Sequence, residues 1–236
     1  MENNKIKVHY KNELNTVPMR DFSSLELNLF FSICSKMKNK GVDTVRFDFE
    51  ELRDLSKYKR TAVDEFSDDL NDVYSKMLNL TYGSYTNSVI ERFVLFTGFK
   101  IDKNNQYVEI SVNPKLEYII NNLSSEFTKF ELNTFTKLRS TYAKTMFRML
   151  KQFRSTGIYK VPIEKFREDF DIPETYQIGN IDQRVLKPIK EELSEFYERL
   201  EIRKLKQKKR NKITHIEVTF KEKEKPKVPL HNWLED

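Results

Sequence analysis

A set of residues laid down in the first half of the chain is laid down again 114–116 residues later. Leu27, Phe31, Cys34 and Gly41 correspond to Ala143, Phe147, Leu150 and Gly157 at a constant shift of 116. Phe47, Phe49, Glu50, Leu52 and Arg53 match Val161, Ile163, Glu164, Phe166 and Arg167 at a shift of 114. Chance similarity between two amphipathic stretches would have to supply both the residue matches and the same order of elements. Two copies of one small fold, joined near residues 114–130, is the better reading. The length of 236 residues allows it, since a domain usually takes ~100–200.

The order of elements in each copy is helix, strand, helix, helix, hairpin. In the first copy, residues 23–39 read as a helix, with Ser23 or Ser24 as its cap, Glu26 behind, and Leu25, Leu29, Ile33 and Met37 on one face. Gly41 is expected to end it. Thr44–Phe49 alternates as a strand, Glu50–Leu55 starts a short helix, and Thr61–Asn79 is a third helix with Phe66, Leu70, Val73 and Met77 inward. Strands are predicted over Leu80–Tyr85, Arg92–Ile101 and Tyr107–Val112, with a turn at Asn104-Asn105. In the second copy, Glu131–Ser155 reads as one long helix ended by Gly157. Tyr159–Ile163 is a strand, Glu164–Phe170 a short helix, and Asn180 caps a third helix running to about Glu195. Leu200–Leu205 and Ile213–Phe220 alternate around a basic tip. This is a mixed α+β chain of two tandem winged helix-turn-helix domains.

Charge divides the two copies. Residues 1–130 carry 18 Lys/Arg against 19 Asp/Glu, whereas residues 131–236 carry 24 against 17. The second half alone has the electrostatic footprint of a nucleic-acid binder. Catalytic and cofactor chemistry has little to build on. Only 5 glycines occur and no GxxxxGK[ST] loop, so no built-in ATP-driven motor is expected. His9, His215 and His231 are far apart, and Cys34 is the single cysteine, so no metal site and no disulfide framework is predicted. Carboxylate pairs such as Asp68-Asp69 and Glu191-Glu192 read as solvated helix faces, and Cys34 as a core residue. No apolar run approaches the ~18–20 residues of a membrane span, and the first residues lack a signal-peptide core, so an intracellular protein is expected.

Candidate DNA-contacting residues fall in four groups. A recognition helix places its early side chains against base edges in the major groove. Over Asn180–Lys190, Ile181, Val185, Leu186 and Ile189 can pack inward while Gln183, Arg184, Lys187 and Lys190 project. Arg pairs with guanine and Gln with adenine, so Gln183 and Arg184 could read sequence while the lysines hold phosphates. Pro188, costly inside a helix, predicts a bend. The hairpin is the second group, with Leu200, Ile202, Ile216, Val218 and Phe220 on its apolar face. Arg203, Lys204, Lys206, Lys208, Lys209, Arg210 and Lys212 crowd its far end and would repel one another without a polyanion. The long helix adds Arg139, Tyr142, Lys144, Thr145 and Arg148, Tyr142 equally fitting the core. In the first half, Lys57, Lys59, Arg60 and Thr61 lead into a helix rich in acids, which is a poorer reader of DNA. The tail, residues 222–236, reads as charged and solvated, with Trp233 a docking anchor.

The run Ser140–Phe153 (STYAKTMFRMLKQF) followed by Arg184–Leu193 (RVLKPIKEEL) resembles the initiator Rep proteins of iteron-containing, theta-replicating plasmids. Leu25–Lys36 and the FVLF at Phe93–Phe96 are also similar, and the likeness spans about residues 10–221. The resemblance implies two winged-helix domains with pseudo-twofold similarity and a non-enzymatic protein that needs no cofactor. It implies binding of direct repeats in double-stranded origin DNA, local melting, and recruitment of the host initiator and replicative helicase in a bacterial cytoplasm, with no membrane partner. It further implies a homodimer in equilibrium with monomer, the dimer forming through the first domain. The expected division is residues 1–130 for dimerisation and auxiliary DNA contact, and 131–221 for main DNA binding. Rival readings are a winged-helix transcriptional regulator and, from another class, a metal-dependent nickase.

Overall fold

The computed structural model of the chain describes residues 6–17, 19, 21–85, 88–121, 123–207 and 212–223. The first copy opens with β1 (Lys7–Lys11) and α1 (Glu13–Thr16), followed by α2 (Ser24–Met37), β2 (Val45–Asp48), α3 (Phe49–Ser56) and α4 (Val63–Met77). It continues through β3 (Thr81–Tyr85), β4 (Ile90–Val94), β5 (Phe96–Asp102), β6 (Tyr107–Val112) and a 3₁₀ turn at Pro114–Ile119. Then come β7 (Phe127–Glu131) and α5 (Leu132–Lys137), which lead into the second copy: α6 (Thr141–Gln152), β8 (Ile158–Pro162) and α7 (Ile163–Asp169). Its third helix is composite: α8 (Ile178–Ile181), a π-helical turn (Asp182–Leu186) and α9 (Lys187–Leu193). The hairpin β9 (Tyr197–Lys206) and β10 (Ile213–Glu222) completes it. Among the described residues no helix is long and apolar enough to cross a membrane.

The repeat seen in the sequence is a repeat of structure. The sheets β2-β6-β5 and β8-β10-β9 have the same order, the strand just before α3 or α7 pairing with the last strand of its copy's hairpin. Gly41 and Gly157, equivalent in the repeat, both take left-handed backbone, at φ 62° and 67°. So do Lys57 and Asp171, which follow α3 and α7. Arg53 Nη2 donates to the Ala62 carbonyl at 3.2 Å, and its equivalent Arg167 Nη2 donates to the Tyr176 carbonyl at 2.8 Å. The first copy differs by the β3–β4 ribbon, inserted ahead of β5.

The two copies share one core. β1 pairs with β7, and this ribbon covers an aromatic cluster of Tyr10, Phe31, Phe130, Phe135 and Phe147. Phe31 and Phe147 are repeat equivalents, and α2 packs against α6. At the centre of that contact Lys144 Nζ donates to Asn28 Oδ1 at 2.6 Å. Lys144 and Asn28 are also repeat equivalents, so the bond lies where a pseudo-twofold axis would pass between the helices.

Four local expectations are corrected. The predicted helix Glu131–Ser155 is a strand and two helices, α6 restarting at the Ser140 cap, whose hydroxyl accepts from the Ala143 N–H at 3.3 Å. Glu192 from the far end of α9 fixes this break by accepting from the backbone N–H of Arg139 and Ser140 at 2.7 and 3.1 Å. The predicted strand Arg92–Ile101 divides at buried Leu95, because β4 pairs with β3 while β5 pairs with β6. α2 ends before Gly41, Asn39 making the first left-handed residue at φ 60°. The third helix of the second copy is capped by Gln177 rather than Asn180, which sits at the third helical position and accepts from the Gln177 N–H at 2.9 Å. Pro188 is accommodated by the π turn just before it: a wider turn relieves the clash of the ring with the preceding carbonyls.

Candidate nucleic-acid interface

The composite helix α8–α9 buries Ile181, Val185, Leu186, Ile189 and Leu193 and packs along α6. Its opposite side presents Gln183, Arg184, Lys187 and Lys190, all exposed. The structure therefore brings the four predicted helix residues onto one face. Arg184 is held in place: its Nη1 donates to the Tyr176 hydroxyl at 3.2 Å, and its guanidinium lies 5.3 Å from the Tyr176 ring centre. Lys187 leans on Glu191 at 3.8 Å, an exposed pair worth ~0–1 kcal/mol.

The hairpin behaves as a wing tied to this helix. Ile216, Val218 and Phe220 are buried, with Ile202 and Leu200 opposite Val218 and Phe220 in the register. On the helix side, Lys204 reaches the Asp182 carboxylate at 2.5 and 2.7 Å. Between wing and helix lies an open cleft of about 380 Å³ lined by Asp182, Leu186, Lys187, Lys190, Glu191, Ile202 and Lys204. Two of the predicted wing cations are thus already paired within the chain: Lys204 with Asp182, and Arg203 with Glu201 at 2.6 Å. Lys206 and Lys212 are exposed near the tip, closed by a Gln207 N–H to Lys212 carbonyl bond of 2.9 Å. Lys208, Lys209 and Arg210 lie outside the described residues.

Of the residues predicted on α6 and before it, Arg139 is exposed, while Tyr142 and Thr145 are half-buried and line a pocket with Asp169, Phe170 and Asp171 at the end of α7, Tyr142 also feeling the charge of Arg184. Lys144 and Arg148 are withdrawn from the surface, at 0 % and 2 % exposure. Lys144 donates to Asn28 and to the Phe135 carbonyl, and burial pushes its pKa down to about 7, partly offset by Glu192. Arg148 donates to the Tyr10 hydroxyl at 3.1 Å and to the Leu14 carbonyl at 2.9 Å. Both hold the copies together; neither is placed to meet a phosphate.

The equivalent helix of the first copy has the opposite charge. α4 exposes Asp64, Glu65, Asp68 and Asp72, and Lys103 from the β5–β6 turn bridges Asp64 and Asp68. The loop before it is engaged with the same acids: Arg60 approaches Glu65 and Asp69, and the Tyr58 hydroxyl donates to Asp69 at 2.5 Å. Lys57 pairs with Asp54 at 3.3 Å, while Lys59 and Thr61 are exposed. One helix-turn-helix is dressed for a polyanion and its twin is not. Sequence reasoning missed Tyr176 and Asp182, which position Arg184 and the wing; no local motif marks either, because their partners are 8 and 22 residues away.

Comparison with known proteins agrees with this architecture. Residues 7–151 match the family model "Initiator Replication protein, WH1", and residues 162–220 match "Initiator Rep protein, WH2". A probable replication protein Rep of Bifidobacterium longum (strain NCC 2705) is 36% identical over 188 residues, which is 78% of this chain. The chain spans 63% of that relative's length. The crystal structure of the Pi initiator protein in complex with iteron DNA superimposes with a TM-score of 0.73 over 94% of this chain and all of that one, at 14% identity. That likeness is one of fold. With both winged-helix domains matched in order, the chain belongs to the initiator replication protein family.

Proposed function

We propose that the protein is a plasmid replication initiator that binds tandem repeats at an origin through its second winged helix. It acts without catalysis of its own. The observation that carries this reading is the exposed Gln183, Arg184, Lys187 and Lys190 face, flanked by a wing that Asp182 and Lys204 lock to the helix. In this reading Gln183 and Arg184 contact base edges in the major groove, and Lys187, Lys190, Lys206, Lys212 and the tip cations contact phosphates. The iteron complex of the Pi initiator supports repeat DNA as the ligand. The finer assignments follow the family: residues 1–130 carry self-association, 131–221 carry the main DNA contact, and residues 222–236 are a charged tail. Origin melting, recruitment of the host initiator and helicase, and a monomer–dimer equilibrium complete the proposed activity, which takes place in the cytoplasm.

Footprinting of the whole protein across the DNA flanking its gene tests the reading. Protection of a tandem array of short direct repeats, together with replication of a linked marker in trans, is the expected result. Protection of a single promoter palindrome would make the protein a regulator instead, and metal-dependent strand cutting would make it a nickase.

A further inference from the structure

The two copies build the turn ahead of their third helix in the same way, and the likeness isolates one side chain. Arg53 donates to the Ala62 carbonyl at 3.2 Å and Arg167 to the Tyr176 carbonyl at 2.8 Å. Ala62 and Tyr176 are equivalent at the shift of 114. The bond that fixes the turn is therefore made to a backbone group, which any residue offers, and alanine suffices in the first copy. In the second copy the Tyr176 N–H also donates to the Pro173 carbonyl at 2.9 Å. The turn does not need the phenol.

The phenol serves Arg184 instead. Its hydroxyl accepts from Arg184 Nη1 at 3.2 Å, and its ring centre lies 5.3 Å from the guanidinium. Among the described residues, Arg184 is the member of the exposed face that a hydrogen bond fastens, whereas Lys187 only approaches Glu191 at 3.8 Å. The first copy has the same device with the charge reversed. Matching buried Phe66 and Leu70 of α4 to Ile181 and Val185, a shift of 115, sets Asp69 against Arg184. Asp69 accepts from the Tyr58 hydroxyl at 2.5 Å. Tyr58 is equivalent to Ile172 and not to Tyr176, so the two tyrosines reach this helix position from different places in the turn. One position is tied down twice, by residues that do not correspond.

We infer that Tyr176 is a specificity-determining positioning residue: its hydroxyl and ring hold the Arg184 guanidinium so that the Nε–Nη2 edge is presented to one guanine of the repeat. A guanidinium carries five N–H donors in a rigid plane, and a guanine contact uses two of them. With Nη1 engaged by the hydroxyl, Nε and Nη2 keep the fork that guanine O6 and N7 accept. Arginine also has one of the largest side-chain entropies, and ordering it before DNA arrives removes that cost from binding. Phosphates are alike in every sequence, so a fixed aim serves base reading and not backbone binding. The inference rests on the base-reading role proposed for Arg184 and adds the group that sets its aim.

The test is a double-mutant cycle on the full chain: Tyr176→Phe, Arg184→Ala and the pair, titrated on repeat and scrambled duplexes. Tyr176→Phe keeps the ring and removes only the hydroxyl. It should weaken binding to the repeat roughly 2- to 10-fold, the worth of one hydrogen bond, and leave scrambled DNA and the salt slope unchanged. With each base of the repeat varied in turn, preference should be lost at the base pair where Arg184→Ala loses it. In the Arg184→Ala background Tyr176→Phe should have no further effect. Tyr176→Ala, which installs the first copy's residue, should lose more on the repeat than Tyr176→Phe and still unfold cooperatively. Equal losses on both duplexes, or a loss that persists without Arg184, would make Tyr176 a DNA contact of its own and overturn the proposal. A Tyr176→Phe chain that fails to fold would make the phenol structural and overturn it as well. Should Arg184→Ala itself leave the preference for repeats intact, the base-reading assignment fails. If Arg184→Ala loses that preference and Tyr176→Phe does not, the positioning role alone fails.

Discussion

Lys144→Met should flatten the dependence of stability on pH between about pH 7 and pH 9. In the native protein the Lys144 amine is fully buried, donating to Asn28 Oδ1 at 2.6 Å and to the Phe135 carbonyl at 2.8 Å. Burial holds its pKa at about 7, with Glu192 opposing the shift. In the unfolded chain it returns to about 10.4. Across the window between those two values the unfolded state binds more protons than the native state, so stability rises with pH there. Integrating the two titrations gives a gain of roughly 2 kcal/mol between pH 7 and pH 9. Met has no such proton and should lose the gain. At pH 7 itself two effects oppose each other. The variant no longer desolvates a charge, but two buried acceptors lose their donor, at ~1–3 kcal/mol each. The slope is therefore the clean quantity. Urea unfolding of both proteins at several pH values and constant ionic strength measures it. A rise in wild-type stability that the variant shares in full would refute the placement of a titrating amine between the two copies.

Two other perturbations separate effects that look alike in sequence. Gly157→Ala should destabilise more than Gly41→Ala, although both glycines have positive φ. A Cβ at 157 would lie 2.9 Å from the Phe220 carbonyl oxygen, whereas at 41 the nearest atom is Glu117 Oε1 at 3.6 Å. Left-handed backbone alone costs ~1–2 kcal/mol, so thermal unfolding should show about that loss at 41 and a larger one at 157; equal losses would contradict the packing. Asp182→Asn breaks the pair with Lys204, which is about one-third exposed, and should change the melting free energy by only ~0–1 kcal/mol. It should nonetheless reduce the preference for repeat over scrambled duplex, and an unaltered preference would show that the wing needs no tether.

The order of elements was legible because each copy repeats both its apolar spacing and its glycine. Gly157 after α6 and the strand-to-Glu-to-Arg run in each copy were enough to align them, down to the Arg53 and Arg167 hydrogen bonds that the structure repeats. What escaped was set by partners distant in sequence. The break at residues 138–140 interrupts an apolar pattern that continues in phase on both sides, and the group that fixes it, Glu192, is 52 residues away from Ser140. Lys144 and Arg148 look like outward cations of an amphipathic helix because the second face of α6 is covered by the first copy, which no local window contains. The division of Arg92–Ile101 is hidden for the same reason, since alternation runs on through Leu95 while the pairing partner changes. The exposed face of α8–α9 was legible: inward Ile181, Val185 and Ile189 leave Gln183, Arg184, Lys187 and Lys190 only one direction. Which wing cations remain free was not, because Asp182 and Glu201 claim two of them.

The central claim is that α8–α9 reads bases while the wing holds phosphates, and Arg184→Ala separates the two roles. Affinity of the full chain is measured on repeat and scrambled duplexes at several salt concentrations, with every base of the repeat varied in turn. A guanidinium paired with guanine O6 and N7 contributes ~1–3 kcal/mol of discrimination. Arg184→Ala should lose that amount on the repeat, relax the preference at one base position, and leave scrambled DNA and the salt slope almost unchanged. Equal losses on repeat and scrambled duplex, with a shallower salt slope, would make Arg184 a phosphate contact and contradict the assignment.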